Sequence, residues 1–399
     1  MRVNPKETPQ APAAHAGPLP WARLKSAPAG PQAFKRMIAA VDPKARPGDI
    51  VAVYDKVGAP FGVAFYNPKS LITLRMLAKD AAGFDSEAFF EERIRRAVMF
   101  RRETLGLDRR TDAYRLVHDL GDGFPGLAVD RYGDFLVLEI YTLGMFRETG
   151  RIERILKGHF PNAAFVHRAS QHSQTMEGFK IKTASSCRTR IRENGILFEV
   201  EPSAGYKTGF FCDQRENRFA VSELSAGRKV LDVCSYTGGF GLYAMKGGAR
   251  EATCVELDPD AAALARRNAN INELRINTVC ADAFPYLRQM GANGERYGLI
   301  VLDPYKLIAS REGFSLGRQK YIDLNRLALG LLEEGGILVT CSCSGMLPWD
   351  EFQHLVRIAA GSAGRRVHIF RKSGAGPDHP FAADYPEGEY LKALWCRAL

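Results

Sequence analysis

Residues 229–249 read KVLDVCSYTGGFGLYAMKGGA, and this stretch decides the fold of the carboxyl-terminal half of the chain. It opens with a short apolar run, which is typical of a buried parallel strand. The small residues that follow, SYTGG at 235–239, predict a turn between strand and helix where a ligand can approach the backbone closely. The turn lacks the GxGxxG spacing of dinucleotide-binding proteins, so it indicates a ligand site without identifying the ligand.

Further apolar runs follow, separated by helix-like segments such as PDAAALARRNANIN at 259–272. The runs are EATCVELD (251–258), INTVCADAF (276–284), YGLIVLD (297–303), GGILVTCSCS (335–344), RVHIFRK (366–372) and YLKALWCRAL (390–399). Together with the first run they make seven strands. This pattern predicts an α/β fold with a doubly wound sheet, whose ligand sits at the carboxyl ends of the strands.

The predicted strand ends carry side chains that suit an adenosine ligand. Glu256 ends the second strand, where α/β nucleotide folds place a carboxylate that accepts hydrogen bonds from ribose hydroxyls. Asp282 and Ala283 end the third strand and are expected to meet the adenine edge. Asp232 lies beside the same site, either as a cofactor contact or as a structural acid that satisfies loop amides. The first turn adds three expected cofactor contacts, Tyr236, Thr237 and Gly238.

The fourth and fifth strands end in groups that can take part in chemistry. The fourth leads into Asp303-Pro-Tyr-Lys306, and the fifth leads into TCSCSG at 340–345. Because neighbouring parallel strands bring their carboxyl ends together, we expect the Asp303 carboxylate and the thiols of Cys341 and Cys343 to converge. A strand alternates sides at every residue, so both thiols should point the same way.

The amino-terminal half changes composition twice. A stretch rich in Pro and Ala gives way to short β-like runs with turn signals, and then to a predicted amphipathic helix that aligns Phe90, Ile94 and Val98 on one face. The predicted domains are a disordered tail (1–19), a small β-rich domain (20–79), a middle α+β domain (80–200) and the α/β domain (201–399).

Positive charge is concentrated in the first half of the 399-residue chain, whose net charge is +10. Residues 1–200 carry 31 Lys and Arg against 22 Asp and Glu, whereas residues 201–399 carry 24 against 23. The first half is therefore the candidate surface for a polyanion. Charge alone leaves its identity open, because basic patches serve membranes as well as nucleic acids.

The cysteines and the apolar runs exclude two classes of protein. The eight cysteines lie mainly in strand-like segments and lack the CxxC pairs of zinc sites, so no metal site is predicted. No apolar run approaches the about 18–20 residues that a membrane span needs, and the amino terminus lacks the apolar stretch of a secretory signal. These features predict a cytoplasmic protein with no membrane partner.

Five long motifs then occur in an order that resembles one known family. They are GYKTGFFCDQRENR (205–218), VLDVCSYTGGF (230–240), Asp-Pro-x-Lys (303–306), GGILVTCSCSG (335–345) and DHPFAADYPEGEYLKALWCR (378–397). On these motifs the chain resembles the bacterial 23S rRNA cytosine-C5 methyltransferase I family. Its members join an amino-terminal PUA domain, a middle domain and a class I S-adenosylmethionine-dependent methyltransferase domain. The early segments PLPWARLKS, RPGDIVAVYD and FGVAFY resemble the PUA domain, a β module that binds structured RNA.

The resemblance implies S-adenosylmethionine as the cofactor and 23S ribosomal RNA as the substrate. Carbon 5 of cytosine is a poor nucleophile, and a thiolate that adds to carbon 6 makes it able to attack the methyl sulfonium. Cys343 matches the family's nucleophile, and Asp303 would bind the N3/N4 edge of the flipped base. Further implied contacts are RNA at Lys207 and Lys306, and the cofactor at Phe211, Asp213 and Gln214. Arg218 is implied as a contact or, alternatively, as a helix cap.

Two residues depart from the family pattern. Tyr305 replaces the second proline of Asp-Pro-Pro-Lys, which leaves base stacking and a repacked loop as alternatives. Cys341 precedes Cys343 by two residues, and Thr340-Cys341-Ser342 resembles the catalytic motif of another group of cytosine-C5 RNA methyltransferases. Cys341 is therefore a rival nucleophile.

Three other functions fit parts of the sequence. Uracil-C5 methylation shares the thiolate mechanism and differs in the base edge that is recognised. Methylation of an adenine amino group typically uses Asn/Asp-Pro-Pro-Tyr/Phe, where Tyr305 would sit one place too early. The alternative outside enzymology is a catalytically inactive RNA-binding factor for ribosome assembly. The oligomeric state stays open between monomer and homodimer.

Overall fold

A computed structural model of the chain describes residues 10–182, 186–203 and 209–399. The chain forms two compact units, each built from more than one segment. The first consists of Met1–Thr189, Glu201–Phe210 and Asp378–Gly388, and the second of Arg190–Val200, Phe211–Pro377 and Glu389–Leu399. None of the helices in the described ranges combines the length and the apolar composition that crossing a membrane requires.

The first unit begins with a six-stranded sheet inside the predicted β-rich range. Its strands are β1 (Trp21–Leu24), β2 (Gln32–Phe34), β3 (Ile38–Val41), β4 (Ile50–Tyr54), β5 (Pro60–Tyr66) and β6 (Ile72–Ala78). Their order across the sheet is β2-β6-β5-β4-β1-β3. Leu24, Val51, Val53 and Leu74 are fully buried in its core. Of the predicted tail, residues 1–9 lie outside the described ranges, whereas His15 contacts Tyr54 through a 3.0 Å hydrogen bond.

A second sheet in the same unit is covered by helices. The helices are α1 (Ser86–Met99), α2 (Leu143–His159) and α3 (Gln171–Glu177), and the strands are β7 (Ala113–His118), β8 (Leu127–Tyr132), β9 (Phe135–Ile140) and β10 (Ala164–Arg168). The sheet order is β10-β9-β8-β7. The Asp85 side chain caps α1 by accepting from the N–H of Glu87 and Ala88. Helix α1 buries Phe90, Ile94 and Val98, the face that the sequence predicts.

The second unit contains the seven-stranded α/β sheet that the sequence predicts and a separate two-stranded sheet. The strands of this unit are β11 (Thr189–Glu193), β12 (Ile196–Val200), β13 (Lys229–Val233), β14 (Glu251–Glu256), β15 (Asn277–Cys280), β16 (Tyr297–Leu302), β17 (Leu332–Ser342), β18 (Val367–Ser373) and β19 (Lys392–Ala398). Strands β11 and β12 form a two-stranded sheet, and the large sheet has the order β15-β14-β13-β16-β17-β19-β18. The first five strands are parallel, whereas β19 and β18 are antiparallel to their neighbours.

Helices cover both faces of this sheet. They are α4 (Arg215–Glu223), α5 (Gly239–Lys246), α6 (Pro259–Ile271), α7 (Ala283–Ala292), α8 (Phe314–Gly330) and α9 (Trp349–Ser362). Residues of α4 and α5 pack on one face, and residues of α7, α8 and α9 pack on the other. From β13 the chain moves outward through β14 and β15 and then returns to β16 on the opposite side of β13. Such a reversal opens a crevice at the carboxyl ends of the central strands, where α/β sheets bind ligands.

Candidate active site

The loop between β13 and α5 has an unusual backbone. Cys234 and Tyr236 have φ angles of +61° and +48°, which residues other than glycine rarely adopt. Gly238, at φ +79°, is the N-cap residue that precedes α5, and a β-carbon there would lie 3.0 Å from the Cβ of Ala265. Strained backbone of this kind tends to occur at ligand sites. The predicted SYTGG turn is therefore present, and its Gly238 packs closely against Ala265 of α6.

Asp232 lies at the base of this loop with no exposed surface. Its Oδ2 accepts a 2.9 Å hydrogen bond from the N–H of Gly241, and its Oδ1 is buried with no hydrogen-bond partner among the described residues. Burial raises the pKa of Asp232 to about 7. The hydroxyl of Ser235 is also buried and has no hydrogen-bond partner in the described ranges. Buried polar atoms are costly unless something bonds them, so these two atoms suit a ligand with polar, cationic groups.

Glu256 joins two loops at the carboxyl edge of the sheet. Its Oε2 accepts from the N–H of Tyr236 at 2.7 Å, and its Oε1 accepts from Leu257 at 2.8 Å and Asp258 at 3.0 Å. A carboxylate offers about four acceptor positions, so it can also accept from a ligand hydroxyl. The sequence predicts that Glu256 binds a ribose. It does not predict that Glu256 also links the loop after β13 to the loop after β14.

The third strand end is built differently from the first two. Asp282 is exposed and caps α7, because its Oδ1 accepts a 2.8 Å hydrogen bond from the N–H of Phe284. Ala283 follows as the first residue of α7. The expected contact of these residues with an adenine edge stays a prediction, and the helix cap fixes where the Asp282 carboxylate lies.

Three predicted cofactor contacts lie on the short segment before α4. The ring of Phe211 packs edge-on against Tyr236, with centroids 5.0 Å apart. Asp213 accepts a 2.5 Å hydrogen bond from the Tyr390 hydroxyl, and the Gln214 side chain accepts one from Asn217 at 2.6 Å. Lys207, the predicted RNA contact of the same motif, lies outside the described residues.

Arg218 forms a buried ion pair that the sequence did not reveal. Its guanidinium donates two 2.8 Å hydrogen bonds to the carboxylate of Glu193 and a 2.9 Å bond to the carbonyl of Phe211. A β-carbon on Gly239 would stand 2.9 Å from its Cδ. The Arg218 side chain therefore packs against Gly239, the first residue of α5. Glu193 belongs to a separate hairpin, and no local pattern pairs residues so far apart in sequence.

The ends of β16 and β17 bring the predicted chemical groups together. The two strands are parallel neighbours, with Leu302 opposite Thr340. The N–H of Asp303 donates a 3.2 Å hydrogen bond to the carbonyl of Val233, which ties this end to β13. The Cys343 sulfur lies 3.9 Å from the carbonyl oxygen of Pro304. The carboxylate and the thiol thus lie on adjacent loops at one edge of the sheet.

The two thiols of the fifth strand have different surroundings. Cys341 lies inside β17 with no exposed surface, and burial raises the pKa of its thiol. Cys343 follows the last residue of β17 and is half-buried. Ser342 and Ser344 contact the Tyr321 hydroxyl at 2.8 and 3.1 Å. Because side chains alternate along a strand, the Cys341 thiol lies on the face opposite Tyr321.

Tyr321 on α8 is a supporting residue that the sequence did not single out. The Ser344 hydroxyl that contacts it also accepts a 3.2 Å hydrogen bond from the N–H of Ile308. The network therefore joins the loop after β16 to the loop after β17. In that first loop, Tyr305 is 69 % exposed and Lys306 is exposed, so both can meet a large ligand. Within the described ranges, no group of His, Cys, Asp and Glu is arranged to hold a metal ion.

Comparison with known proteins finds methyltransferases and a PUA-like domain. Residues 166–394 match the family model of S-adenosylmethionine-dependent methyltransferases, and residues 30–79 match a PUA-like domain. The ribosomal RNA large subunit methyltransferase I of Klebsiella pneumoniae is 34 % identical over 378 residues, which are 92 % of this chain and 94 % of that protein. The enzyme of the same name from Cronobacter sakazakii is also 34 % identical, over 92 % of this chain and 95 % of its own length.

A solved structure shows the same fold. It is a protein described as a methyltransferase and crystallised in complex with SAH, with a TM-score of 0.78 and 22 % sequence identity. The match covers 92 % of this chain and 95 % of that one.

Proposed function

The chain belongs to the family of ribosomal RNA large subunit methyltransferase I, an S-adenosylmethionine-dependent family, and we propose that it methylates carbon 5 of a cytosine in 23S ribosomal RNA. The observation that carries this proposal is the position of Asp303 and Cys343 just after two neighbouring parallel strands, with the Cys343 sulfur 3.9 Å from the carbonyl oxygen of Pro304. A methyltransferase that acts on an amino group would have no use for a thiol there. Methylation of a pyrimidine carbon requires one.

S-adenosylmethionine supplies the methyl group when it is bound. The proposed cofactor contacts are Phe211, Asp213, Gln214, Asp232, Tyr236, Thr237, Gly238, Glu256, Asp282 and Ala283. Asp232 Oδ1 and Ser235 Oγ support this assignment, because both are buried acceptors for which the ligand's ammonium and hydroxyl groups would provide donors. Glu256 would accept from a ribose hydroxyl while it holds the loop that carries Tyr236.

Cys343 is the proposed nucleophile. Its thiolate forms a bond to carbon 6 of the cytosine, and the electron pair of the 5,6 double bond moves into the ring, which makes carbon 5 nucleophilic. Asp303 would bind the N3/N4 edge and favour protonation at N3 as that charge builds up. Carbon 5 then forms a bond to the methyl group, whose bond to the cofactor sulfur breaks. Loss of the carbon 5 proton to water restores the double bond and expels the thiolate from carbon 6, and N3 gives its proton back as the thiolate leaves. Cys343 suits the role better than Cys341, which has no exposed surface.

RNA binding is proposed for both units. The PUA-like range 30–79 lies in the basic first half of the chain, and phosphate groups are the ligands that exposed Lys and Arg attract. Lys306 would contact the backbone of the target strand, as would Lys207. Tyr305, exposed beside Asp303, could stack on a base that has left its helix.

The function is tested by mapping 5-methylcytosine in 23S ribosomal RNA from a strain that lacks the gene and from its parent. We expect one cytosine to lose its methyl group, and the purified protein with S-adenosylmethionine to restore it. If the purified protein restores a methyl group on a uracil, the target base is uracil and not cytosine. Tight RNA binding without methyl transfer to any position would instead indicate an assembly factor.

A further inference from the structure

A chain of hydrogen bonds within the second unit leads to the side chain of Gln214. The Trp395 indole Nε1 donates to the Ser373 hydroxyl at 2.8 Å, and that hydroxyl donates to Oδ1 of Asn217 at 2.7 Å. Nδ2 of Asn217 then donates to Oε1 of Gln214 at 2.6 Å and to the carbonyl of Gly374 at 3.2 Å. Trp395, Asn217 and Gln214 are all buried, so water has little access to these bonds.

The two ends of this chain fix the direction of every bond in it. An indole N–H can only donate, and a backbone carbonyl can only accept. Trp395 therefore makes the Ser373 hydroxyl an acceptor and leaves its proton for Asn217. Because the Gly374 carbonyl requires a donor, the nitrogen of the Asn217 amide must face Gly374 and Gln214. The atom of Gln214 that meets Asn217 is then the oxygen, and the nitrogen is the opposite end of the amide.

The amide nitrogen of Gln214 is a buried donor that lacks an acceptor. Gln214 is 2 % exposed, and its Nε2 has no hydrogen-bond partner among the described residues. Leaving a buried donor unpaired costs about 1–3 kcal/mol. Burial raises the pKa of the Cys341 thiol and the Gln214 side chain lowers it, but a thiol sulfur is only a weak acceptor. The Gln214 amide therefore suits a ligand that offers an oxygen acceptor.

The carboxylate of S-adenosylmethionine matches this donor. It is the anionic group of the cofactor, and a hydrogen bond to an ion is about twice as strong as one between neutral groups. Four of the proposed cofactor contacts are themselves carboxylates, namely Asp213, Asp232, Glu256 and Asp282. Such groups suit the ammonium and hydroxyl groups of the ligand and repel its carboxylate. Gln214 is the proposed contact whose side chain carries N–H donors.

We propose that Gln214 donates a hydrogen bond from Nε2 to the carboxylate of S-adenosylmethionine. Asn217, Ser373 and Trp395 are positioning residues, because their bonds keep the nitrogen of this amide toward the ligand. Without them the amide can turn over and present its oxygen, which repels a carboxylate. The inference rests on the proposed function for its site, but cofactor binding is measured without RNA or methyl transfer.

The test compares two ligands by calorimetry on the full chain: S-adenosylmethionine, and decarboxylated S-adenosylmethionine, which lacks only the carboxylate. The native chain should bind the complete cofactor about tenfold or more tightly. Gln214→Met, which has no N–H donor, should lose about that factor for S-adenosylmethionine and keep its affinity for the decarboxylated compound. Equal affinities of the native chain for the two ligands would overturn the proposal, as would equal losses for both in Gln214→Met.

Asn217→Leu tests the positioning role. It nearly keeps the volume of the side chain but removes the donor to Gln214, so affinity for S-adenosylmethionine should fall about three- to tenfold while the decarboxylated compound binds as before. Asn325→Leu is the matched control, since Asn325 is equally buried but bonds the carbonyl of Tyr321 on α8. It should leave the ratio of the two affinities unchanged. Equal losses for both ligands in Asn217→Leu would indicate a merely structural role and overturn the assignment.

If Asn217→Leu does not fold, Ser373 provides the second test. Ser373→Ala removes the hydroxyl that joins Trp395 to Asn217, whereas Ser373→Thr keeps it. We expect part of the selective loss in the first variant and its rescue in the second, and identical behaviour of the two would overturn the positioning role.

A variant that binds both ligands normally can still lose methyl transfer. If Gln214→Met does so at saturating S-adenosylmethionine, its donor serves the target base and the carboxylate assignment is wrong. The selective loss of affinity in a chain that methylates no cytosine would sustain the inference and remove the proposed function.

Discussion

Asp232 binds Gly241 through one oxygen only: Oδ2 accepts a 2.9 Å hydrogen bond from the Gly241 N–H, while Oδ1 has no hydrogen-bond partner within the described ranges. Both residues are buried, and burial raises the pKa of Asp232 to about 7. At neutral pH the carboxyl therefore exchanges between a neutral form and a charged form. Only the charged form can pair with the cationic part of S-adenosylmethionine.

Cofactor binding should depend on pH because of Asp232. Affinity for S-adenosylmethionine should rise from pH 5.5 to about pH 7 as Asp232 loses its proton. It should fall again above about pH 8, where the α-amino group of the ligand becomes neutral. Asp232→Asn can still accept the Gly241 hydrogen bond but carries no charge, so calorimetry should show the rise at acid pH abolished. If the affinity of this variant for S-adenosylmethionine depends on pH in the same way as that of the native chain, Asp232 does not face the ligand.

Gly241 is required for contact between α5 and the sheet. A β-carbon at this position would stand 2.3 Å from the sulfur of Cys254. We expect Gly241→Ala to destabilise the second unit by about 1–3 kcal/mol in urea unfolding, as overpacked cores do. Adding Cys254→Ala removes the sulfur and should restore part of the lost stability. We expect a coupling free energy between the two substitutions of about 0.5 kcal/mol or more.

The control for this cycle is Gly361→Ala in α9. A β-carbon on Gly361 would meet nothing within 4 Å, so the change should be neutral or slightly stabilising. If Cys254→Ala restores none of the stability that Gly241→Ala loses, then Gly241 is not needed for the close approach of α5 to β14.

Glu256 should contribute to cofactor affinity in two ways. Glu256→Ala removes the expected ribose acceptor and also releases the N–H groups of Tyr236, Leu257 and Asp258. We expect S-adenosylmethionine to bind about 1–3 kcal/mol more weakly by calorimetry.

Asp258→Ala is the matched control for Glu256, since Asp258 only caps α6 through the N–H of Asp260. It should lower stability by about 1 kcal/mol and leave affinity nearly unchanged. Equal losses of affinity in the two variants would assign the effect to loop stability and not to a ligand contact.

The PUA-like sheet offers a test of RNA binding. Lys35 and Arg36 are exposed on one turn beside Phe34, which is 43 % exposed. Replacing both by Gln should weaken RNA binding and make the slope of log affinity against log salt shallower by about 1–2, because fewer counterions are released.

Arg95 and Arg96 provide the comparison, because both are exposed but form ion pairs with Glu92. Their replacement by Gln should change the slope little. If replacing Arg95 and Arg96 changes the slope more than replacing Lys35 and Arg36 does, the RNA surface lies on α1 and not on the PUA-like sheet.

The sequence predicts this fold well where local pattern decides structure. Apolar runs of strand length identify all seven strands of the large sheet, and the alternation with helices gives its doubly wound order. The run at 390–399 predicts a strand but not its direction, because an apolar run is the same read either way. That β19 inserts antiparallel between β17 and β18 depends on long-range packing.

The candidate site is predictable only in part, for the same reason. Glu256 ends β14, and Asp303 and Cys343 directly follow β16 and β17, so position along the chain points to them. Tyr321 becomes a candidate only when the fold buries its hydroxyl beside Ser342, about 20 positions away. No periodicity encodes such a contact.

The central claim is that Cys343, and not Cys341, forms the covalent bond to cytosine. At about 3.3 Å per residue, Cys341 lies roughly 6–7 Å further back along β17, which agrees with its complete burial. The most direct measurement uses target RNA with 5-fluorocytosine at the methylated position, S-adenosylmethionine, and denaturing gel electrophoresis. We predict a denaturation-resistant adduct with the native chain and with Cys341→Ala, and none with Cys343→Ala, which should still bind the cofactor. An adduct with Cys343→Ala but not with Cys341→Ala would reverse the assignment, and no adduct with the native chain would contradict thiolate catalysis altogether.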